Sequence, residues 1–435
     1  MANPGMSVTP YAELTFDADG DADGRRRDRL VDRVADGGVR DLVVFAHGWN
    51  SDRSAATRLY SAFLAPFPRL APRARIGYAG VVWPSMRFSD EPIPDFPRSV
   101  AADDPPPRPA LDKVTRHALL ETFPGRATVV DRLARLLDQH PPQEAALEEF
   151  GRLVRLLVEV VPPGPQGLFA ADTLAEGVPQ DGPRMFSAPV AEVCEEFARA
   201  RAGERAEGLR LPNPWEGAQE LLRQATYYAM KRRAGTVGER GLGPVIGRLA
   251  AAAPGLRVHL VGHSFGARLV SFALRGMPEG VRAVKSVTLL QGAFSHYAFA
   301  ARLPHDARAG GVLQGQQNRI DGPLVCCHSR HDTALGTFYP PASRMAGDDQ
   351  GLAGLDPARA LRDRWGALGY GGLRAVPGTR SLTLAEALSE PLPGSGCVNV
   401  DAAAVVRRGG PPAGAHGDIL HPELARLVVA AGRVR

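Results

Sequence analysis

Residues 257–270, RVHLVGHSFGARLV, limit what this chain can fold into more than any other stretch. The apolar run from Val258 to Val261 predicts a short buried strand, and the following ARLVSFAL suits a helix. Between them lies Gly262-His263-Ser264-Phe265-Gly266, which fits G-x-S-x-G, the turn that lifts a serine to the top of a parallel sheet. The turn is so tight that a side chain at Gly262 or Gly266 would strike the neighbouring strand or helix. Ser264 is then expected in strained backbone geometry with its hydroxyl exposed. It stands at the N-terminus of a helix whose dipole favours developing negative charge. The plainer alternative is a Gly-rich strand-to-helix turn; the flanking strand and helix favour the nucleophile.

The rest of the chain supplies matching elements. Strands are expected at 11–17 (YAELTFD), 41–46 (DLVVFA), 75–83, 283–290 (AVKSVTLL), 323–327 and 396–401 (GCVNVD). Helical patterns fall at 25–35, 54–64, 243–253 and 422–432. Strands alternating with helices imply an α/β fold, a mostly parallel central sheet covered by helices on both faces. Ligands in such a fold bind beyond the C-terminal ends of the strands.

One section breaks the alternation. Residues 88–109 are crowded with proline and acid and exclude regular structure. Helical patterns follow at 111–122, 127–139, 143–161, 189–202 and 215–233, with apolar stripes such as Val130, Leu133 and Leu137, or Leu147, Phe150, Val154 and Leu157. A Pro/Gly stretch, 162–189, divides them, and nothing in the section has strand character. A single crossover needs only one helix. The expectation is therefore a core of 1–86 and 215–435 with a helical cap, 87–214, inserted over the active site. Packing of these helices on the sheet flank is the alternative.

The strand 41–46 exits into His47-Gly48-Trp49-Asn50. Gly48 would free the backbone so that the Trp49 amide can point at a substrate oxygen, with the Phe265 amide as second donor of an oxyanion hole. The plainer reading, compatible with this, is a turn in which Asn50, Ser51 or Ser54 caps helix 54–64. A serine hydroxyl needs a base, and the base needs a partner that fixes its tautomer. The chain order Ser, acid, His, each on the exit of a later strand, is met by Ser264, Asp332 and His416. Asp321 precedes its strand, and Asp306 lies well beyond the previous one. His331 adjoins the acid, and His421 suits a surface or capping place. His47, His263 and His296 fit site-shaping roles, and His259 the core.

The segments HGWN, VVWPS, GHSFGARLVS, HSRHDTAL and AHGDI resemble the α/β-hydrolase superfamily, in particular bacterial serine hydrolases of lipase/esterase type. The resemblance covers about 40–85 and 240–435 and not the helical insertion; Phe265 stands where many relatives have Met or Gln. It implies two-step acyl transfer. Ser264 attacks an ester, or secondarily an amide, His416 takes its proton, the Trp49 and Phe265 amides hold the oxyanion, and water releases the acid. No metal or organic cofactor is implied, and the substrate would be a small or lipid-like acyl compound. Two other readings stay open: an acyltransferase on the same residues, and a non-catalytic binding protein on the same scaffold.

Bulk properties narrow the rest. A net charge of +5 over 435 residues is mild, and the arginines stand beside acids on predicted helices, which argues against nucleic acid as partner. Cys194, Cys326, Cys327 and Cys397 have neither zinc nor disulfide spacing. Asp17–Gly24 alternates carboxylates like a calcium loop, but Leu30 occupies the position where a bidentate Glu is needed. The first residues lack the pattern of a signal peptide and no segment has the length of a membrane span, so no stable membrane insertion and a cytoplasmic location are expected. The abundance of Gly, Pro, Ala and Arg suggests a GC-rich bacterial genome. Oligomeric state is not legible.

Overall fold

The computed structural model describes all residues except 1–4, 50, 87–109, 159–168, 176–183, 203–212, 339–362, 364 and 411–412. The expectation for 88–109, and Asn50 as a cap, lie outside the described residues. The main sheet has eight strands: β1 (Tyr11–Thr15), β2 (Asp41–Ala46), β3 (Ile76–Val82), β5 (Arg257–His263), β6 (Val284–Leu290), β8 (Pro323–His328), β9 (Arg380–Thr383) and β10 (Gly396–Asp401). Their order is β1-β3-β2-β5-β6-β8-β10-β9, and every neighbouring pair is parallel.

The apolar runs explain this layering. All residues of β2 and β3 are buried, as strands covered on both faces require. Successive side chains feed two separate cores. Leu42, Val44 and Ala46 face one, and Val43 and Phe45 face the other. The first core is covered by α1 (Gly24–Ala35) and the second by α2 (Arg53–Leu64).

Strand order positions the site. From β2 the chain runs outward to β3, then returns to place β5 on the other side of β2. The strand order therefore reverses between β2 and β5, the place where open α/β sheets bind ligands beyond the C-terminal ends of the strands. Gly48 and Ser264 are the residues that leave those two strands there.

The helices after residue 110 are α3 (Lys113–Thr122), α4 (Ala127–Gln139), α5 (Glu144–Leu157), α6 (Val190–Ala202) and α7 (Pro214–Thr236). They pack on one another, and α7 packs on the helix that follows Ser264. Val130, Leu133, Leu137, Phe150, Val154 and Leu157 are buried, as their spacing predicts. They share one core with the face of the sheet that carries α1. A π-helical turn, Val237–Leu242, joins α7 to α8 (Gly243–Ala252), so the two patterns predicted apart are nearly continuous. A Cβ on Gly238 would lie 2.2 Å from the Leu269 carbonyl oxygen, so close packing there excludes a side chain.

Three local expectations are corrected. The section read as free of strands contains β4 (Thr173–Ala175), which pairs antiparallel with β7 (Ala309–Gly311). The edge strand β9 was not anticipated, because its polar, largely exposed sequence carries no apolar alternation. The cap of α2 is Asp52, whose carboxylate accepts from the Ala55 amide at 2.7 Å, rather than Ser51 or Ser54. The Asp-rich loop is an Asx turn. Asp17 accepts the Asp19 and Asp21 amides at 3.0 and 2.8 Å, and Asp23 caps α1. Among the described residues no helix is long and apolar enough to cross a membrane. All four cysteines are free and buried.

Candidate active site

The turn after β5 has the geometry its sequence demands. Ser264 has φ 55° and ψ −119°, and α9 (Phe265–Gly276) begins at the next residue. A non-glycine residue at positive φ costs about 1–3 kcal/mol, and here dense packing maintains it. A Cβ on Gly262 would fall 2.4 Å from the Gly266 oxygen, and one on Gly266 would fall 2.0 Å from the Ala46 oxygen. The turn thus presses directly on the end of β2. Two residues further along, Gly48 approaches so closely that a Cβ there would lie 2.6 Å from Ser264 Cβ. Only glycines allow the β2 exit and the serine turn to share this space.

Ser264 is buried, at 5 % exposed, rather than exposed as its turn predicts, because its hydroxyl lies against His416. The Ser264 Oγ to His416 Nε2 distance is 2.9 Å, and His416 Nδ1 lies 2.8 Å from Asp332 Oδ2. A carboxylate oxygen accepts only, so Nδ1 carries the proton and Nε2 offers a lone pair to the serine hydroxyl. Asp332 is wholly buried, and its other oxygen accepts the Leu335 amide at 3.0 Å. These side chains come from the exits of β5, β8 and β10, as the chain order predicts.

The loop bearing His416 is stitched to the loop bearing Asp332. The Ala415 amide donates to the His331 carbonyl at 2.9 Å, and the Ser329 hydroxyl donates to the Val406 carbonyl at 2.6 Å. Gly414, at φ +59°, permits the close approach; a Cβ there would lie 2.3 Å from Thr333 Oγ1. Asp418 holds the other side. One oxygen accepts the Arg407 and Arg408 amides at 2.9 and 2.8 Å, and the other meets His421 Nε2 at 2.9 Å. His421 stands at the N-cap position of α10 (Pro422–Gly432) without a side-chain capping bond.

His263 and His47 are buried supports. His263 Nε2 donates to the His416 carbonyl at 2.8 Å, and burial, helped by the neighbouring His416, lowers its pKa to about 3. It is neutral at working pH and fixes the backbone of the residue beside it. His47 Nδ1 donates to the Gly48 carbonyl at 2.9 Å, and its ring stacks on Trp83 at 5.5 Å. Burial lowers its pKa to about 4. The His47 carbonyl in turn accepts the Trp83 indole at 3.0 Å, so Trp83 pins the loop from both sides.

The remaining residues weighed from sequence fall elsewhere. His296 is buried, but its backbone bonds run to Gly366 and Arg374 rather than to the Ser264 group. Burial brings its pKa down to about 3. Asp321 pairs with Lys285, and Asp306 accepts the Arg308 amide at 2.9 Å. His259 meets Asp41 and Ser286, each at 2.9 Å, inside the core.

Sequence reasoning missed a buried ion cluster on the helix that follows Ser264. Arg268, one turn beyond Ser264, meets Asp172, and Lys231 Nζ reaches the same carboxylate at 2.8 Å. Arg268 also donates to the carbonyls of Lys231, Phe169 and Ala171 at 3.1, 2.7 and 2.8 Å. Burial alone would raise the pKa of Asp172, but Lys231 and Arg268 outweigh it and hold it at about 2. Also missed was Tyr227 of α7, whose ring packs against those of both Trp49 and Phe265. No sequence signal marked it among the other apolar positions of a long helix. Comparison with known proteins gives no match: no protein-family model, no curated protein and no solved structure corresponds to the chain.

Proposed function

We propose that this chain is a serine hydrolase of the α/β-hydrolase fold, with the helices of 87–214 as a cap. More particularly, we propose that it cleaves a carboxylic ester of a small or lipid-like acyl compound through an acyl-serine intermediate. One observation carries the reading: the continuous pair of hydrogen bonds, 2.9 and 2.8 Å, from Ser264 through His416 to Asp332. A binding scaffold has no need of that relay, nor of a serine kept at positive φ.

In this reading Ser264 Oγ attacks the ester carbonyl carbon while His416 Nε2 accepts its proton. Asp332 stabilises the imidazolium and keeps Nδ1 protonated. The amides of Phe265 and Trp49 hold the developing oxyanion. Phe265 is the first residue of α9, so its amide has no carbonyl partner one turn back within the helix. Trp49 follows Gly48, which lies against Ser264. Each such donor contributes about 3 kcal/mol to the transition state in comparable sites. His416 then returns the proton to the leaving alcohol, and a water activated by His416 releases the acid.

Hydrolysis of p-nitrophenyl esters tests this. Ser264→Ala and His416→Ala should each lower turnover by about three or more orders of magnitude with the fold intact. A loss within tenfold for either variant would remove that residue from its role.

A further inference from the structure

We infer that Tyr227, on the first helix after the insertion, which packs against the helix that follows Ser264, is a positioning residue for the oxyanion side of the site. The inference rests on the reading above, in which the Trp49 and Phe265 amides hold the oxyanion. Those two residues belong to different elements, the β2 exit and the first position of α9, and their ring centroids are 6.4 Å apart. Tyr227 occupies the corner between them. Its ring centroid lies 5.3 Å from Trp49, edge-on at 79°, and 4.7 Å from Phe265, inclined at 46°. These separations are those at which aromatic pairs attract. A ring held in this way restrains its own Cα, and with it the amide attached there.

The ion cluster sets the height of Tyr227 along α9. Lys231 stands four residues after Tyr227 and so shares its face of α7, and Arg268 stands three residues after Phe265 on α9. The Arg268 guanidinium donates to the Lys231 carbonyl at 3.1 Å, and both side chains end on the buried Asp172 carboxylate. Two rungs one turn apart therefore join the helices: a ring pair and an ion cluster. Sliding α7 along α9 would strand a buried cation away from its carboxylate, which is strongly unfavourable. Tyr227 is thus held against the turn that carries Ser264 by a contact independent of its own ring. The insertion contributes Asp172 to this clamp, and the helix that follows it brings Tyr227 to the oxyanion side.

The test uses the full chain and p-nitrophenyl acetate, whose acyl group is too small to depend on the ring for its own binding. Tyr227→Ala and Tyr227→Leu should lower kcat by about 10- to 100-fold with KM changed less than about threefold, and Tyr227→Phe should stay within about threefold of wild type. The second-order rate of fluorophosphonate labelling should fall in parallel, and urea unfolding confirms that each variant is folded. If Tyr227→Ala does not fold, the Leu and Phe variants decide. A wild-type protein that neither hydrolyses the ester nor takes the label removes the hydrolase reading itself. An active wild type with Tyr227→Ala or Tyr227→Leu within threefold of it overturns the inference alone. So does a rise in KM at unchanged kcat, which would make Tyr227 a wall for substrate.

Discussion

Replacing Gly48 by alanine probes the closest approach in the site. The added Cβ would lie 2.6 Å from Ser264 Cβ and 3.2 Å from both Ser264 Oγ and the His263 oxygen. Carbon atoms rest at about 3.5–4.0 Å, so roughly 1 Å must be recovered by movement. The serine turn has little room to yield, because Gly266 already rests on the Ala46 and His47 carbonyls. Either Ser264 shifts and lengthens its 2.9 Å bond to His416, or the β2 exit retreats and carries the Trp49 amide away. A misplacement of about 1 Å costs on the order of 100-fold in rate, and overpacking of this size costs about 1–3 kcal/mol of stability. The assay is kcat/KM on a p-nitrophenyl ester beside urea unfolding of the same preparation. Gly255→Ala, where an added Cβ meets nothing within 4 Å, serves as control. Gly48→Ala folded and within threefold of wild-type activity would refute the reasoning.

Two further predictions concern stability. Asp172→Asn should destabilise the fold by about 3–5 kcal/mol in urea unfolding, because Lys231 and Arg268 would remain buried without their counter-charge; a change under 1 kcal/mol would show that the cluster is not what joins α7 to α9. Stability should also fall on acidification. His47, His263 and His296 are held neutral in the fold by burial, to about 4, 3 and 3, whereas an unfolded histidine titrates near 6.5. Between these limits the unfolded chain binds more protons, so this stabilisation is complete above about pH 7. It is lost as pH falls through 6.5 towards 4, with a slope approaching about 1.4 kcal/mol per pH unit for each histidine. An unfolding free energy that is flat between pH 7 and 5 would contradict it.

The legible parts of this protein were those whose physics is local. The strand–turn–helix around Ser264 declares itself because only glycine fits at 262 and 266, and the buried strands are runs of apolar residues. Asp332 comes into view because it follows the end of β8 by four residues, and His416 because it lies on the loop after β10 and chain order restricts the candidates. What stayed hidden depends on contacts between distant, ordinary-looking positions. Asp172 stands in a Pro/Gly stretch with no motif, and its cations, Lys231 and Arg268, lie on predicted helices with nothing in the sequence to mark them as buried. Tyr227 is one apolar position among many on a 23-residue helix. Asp418, which closes the loop of His416, stands in the sequence two residues after His416 with no strand or motif to mark its role. The strands β4, β7 and β9 are three or four residues long and carry no alternation strong enough to register.

The central claim is that Ser264 is a nucleophile made reactive by His416. The most direct measurement is intact mass and peptide mapping after treatment with a fluorophosphonate. The account predicts a single phosphonyl adduct on Ser264, with none on folded Ser264→Ala and a greatly slowed reaction in His416→Ala. An adduct mapped to another residue, or no adduct on the folded wild-type protein, would contradict it.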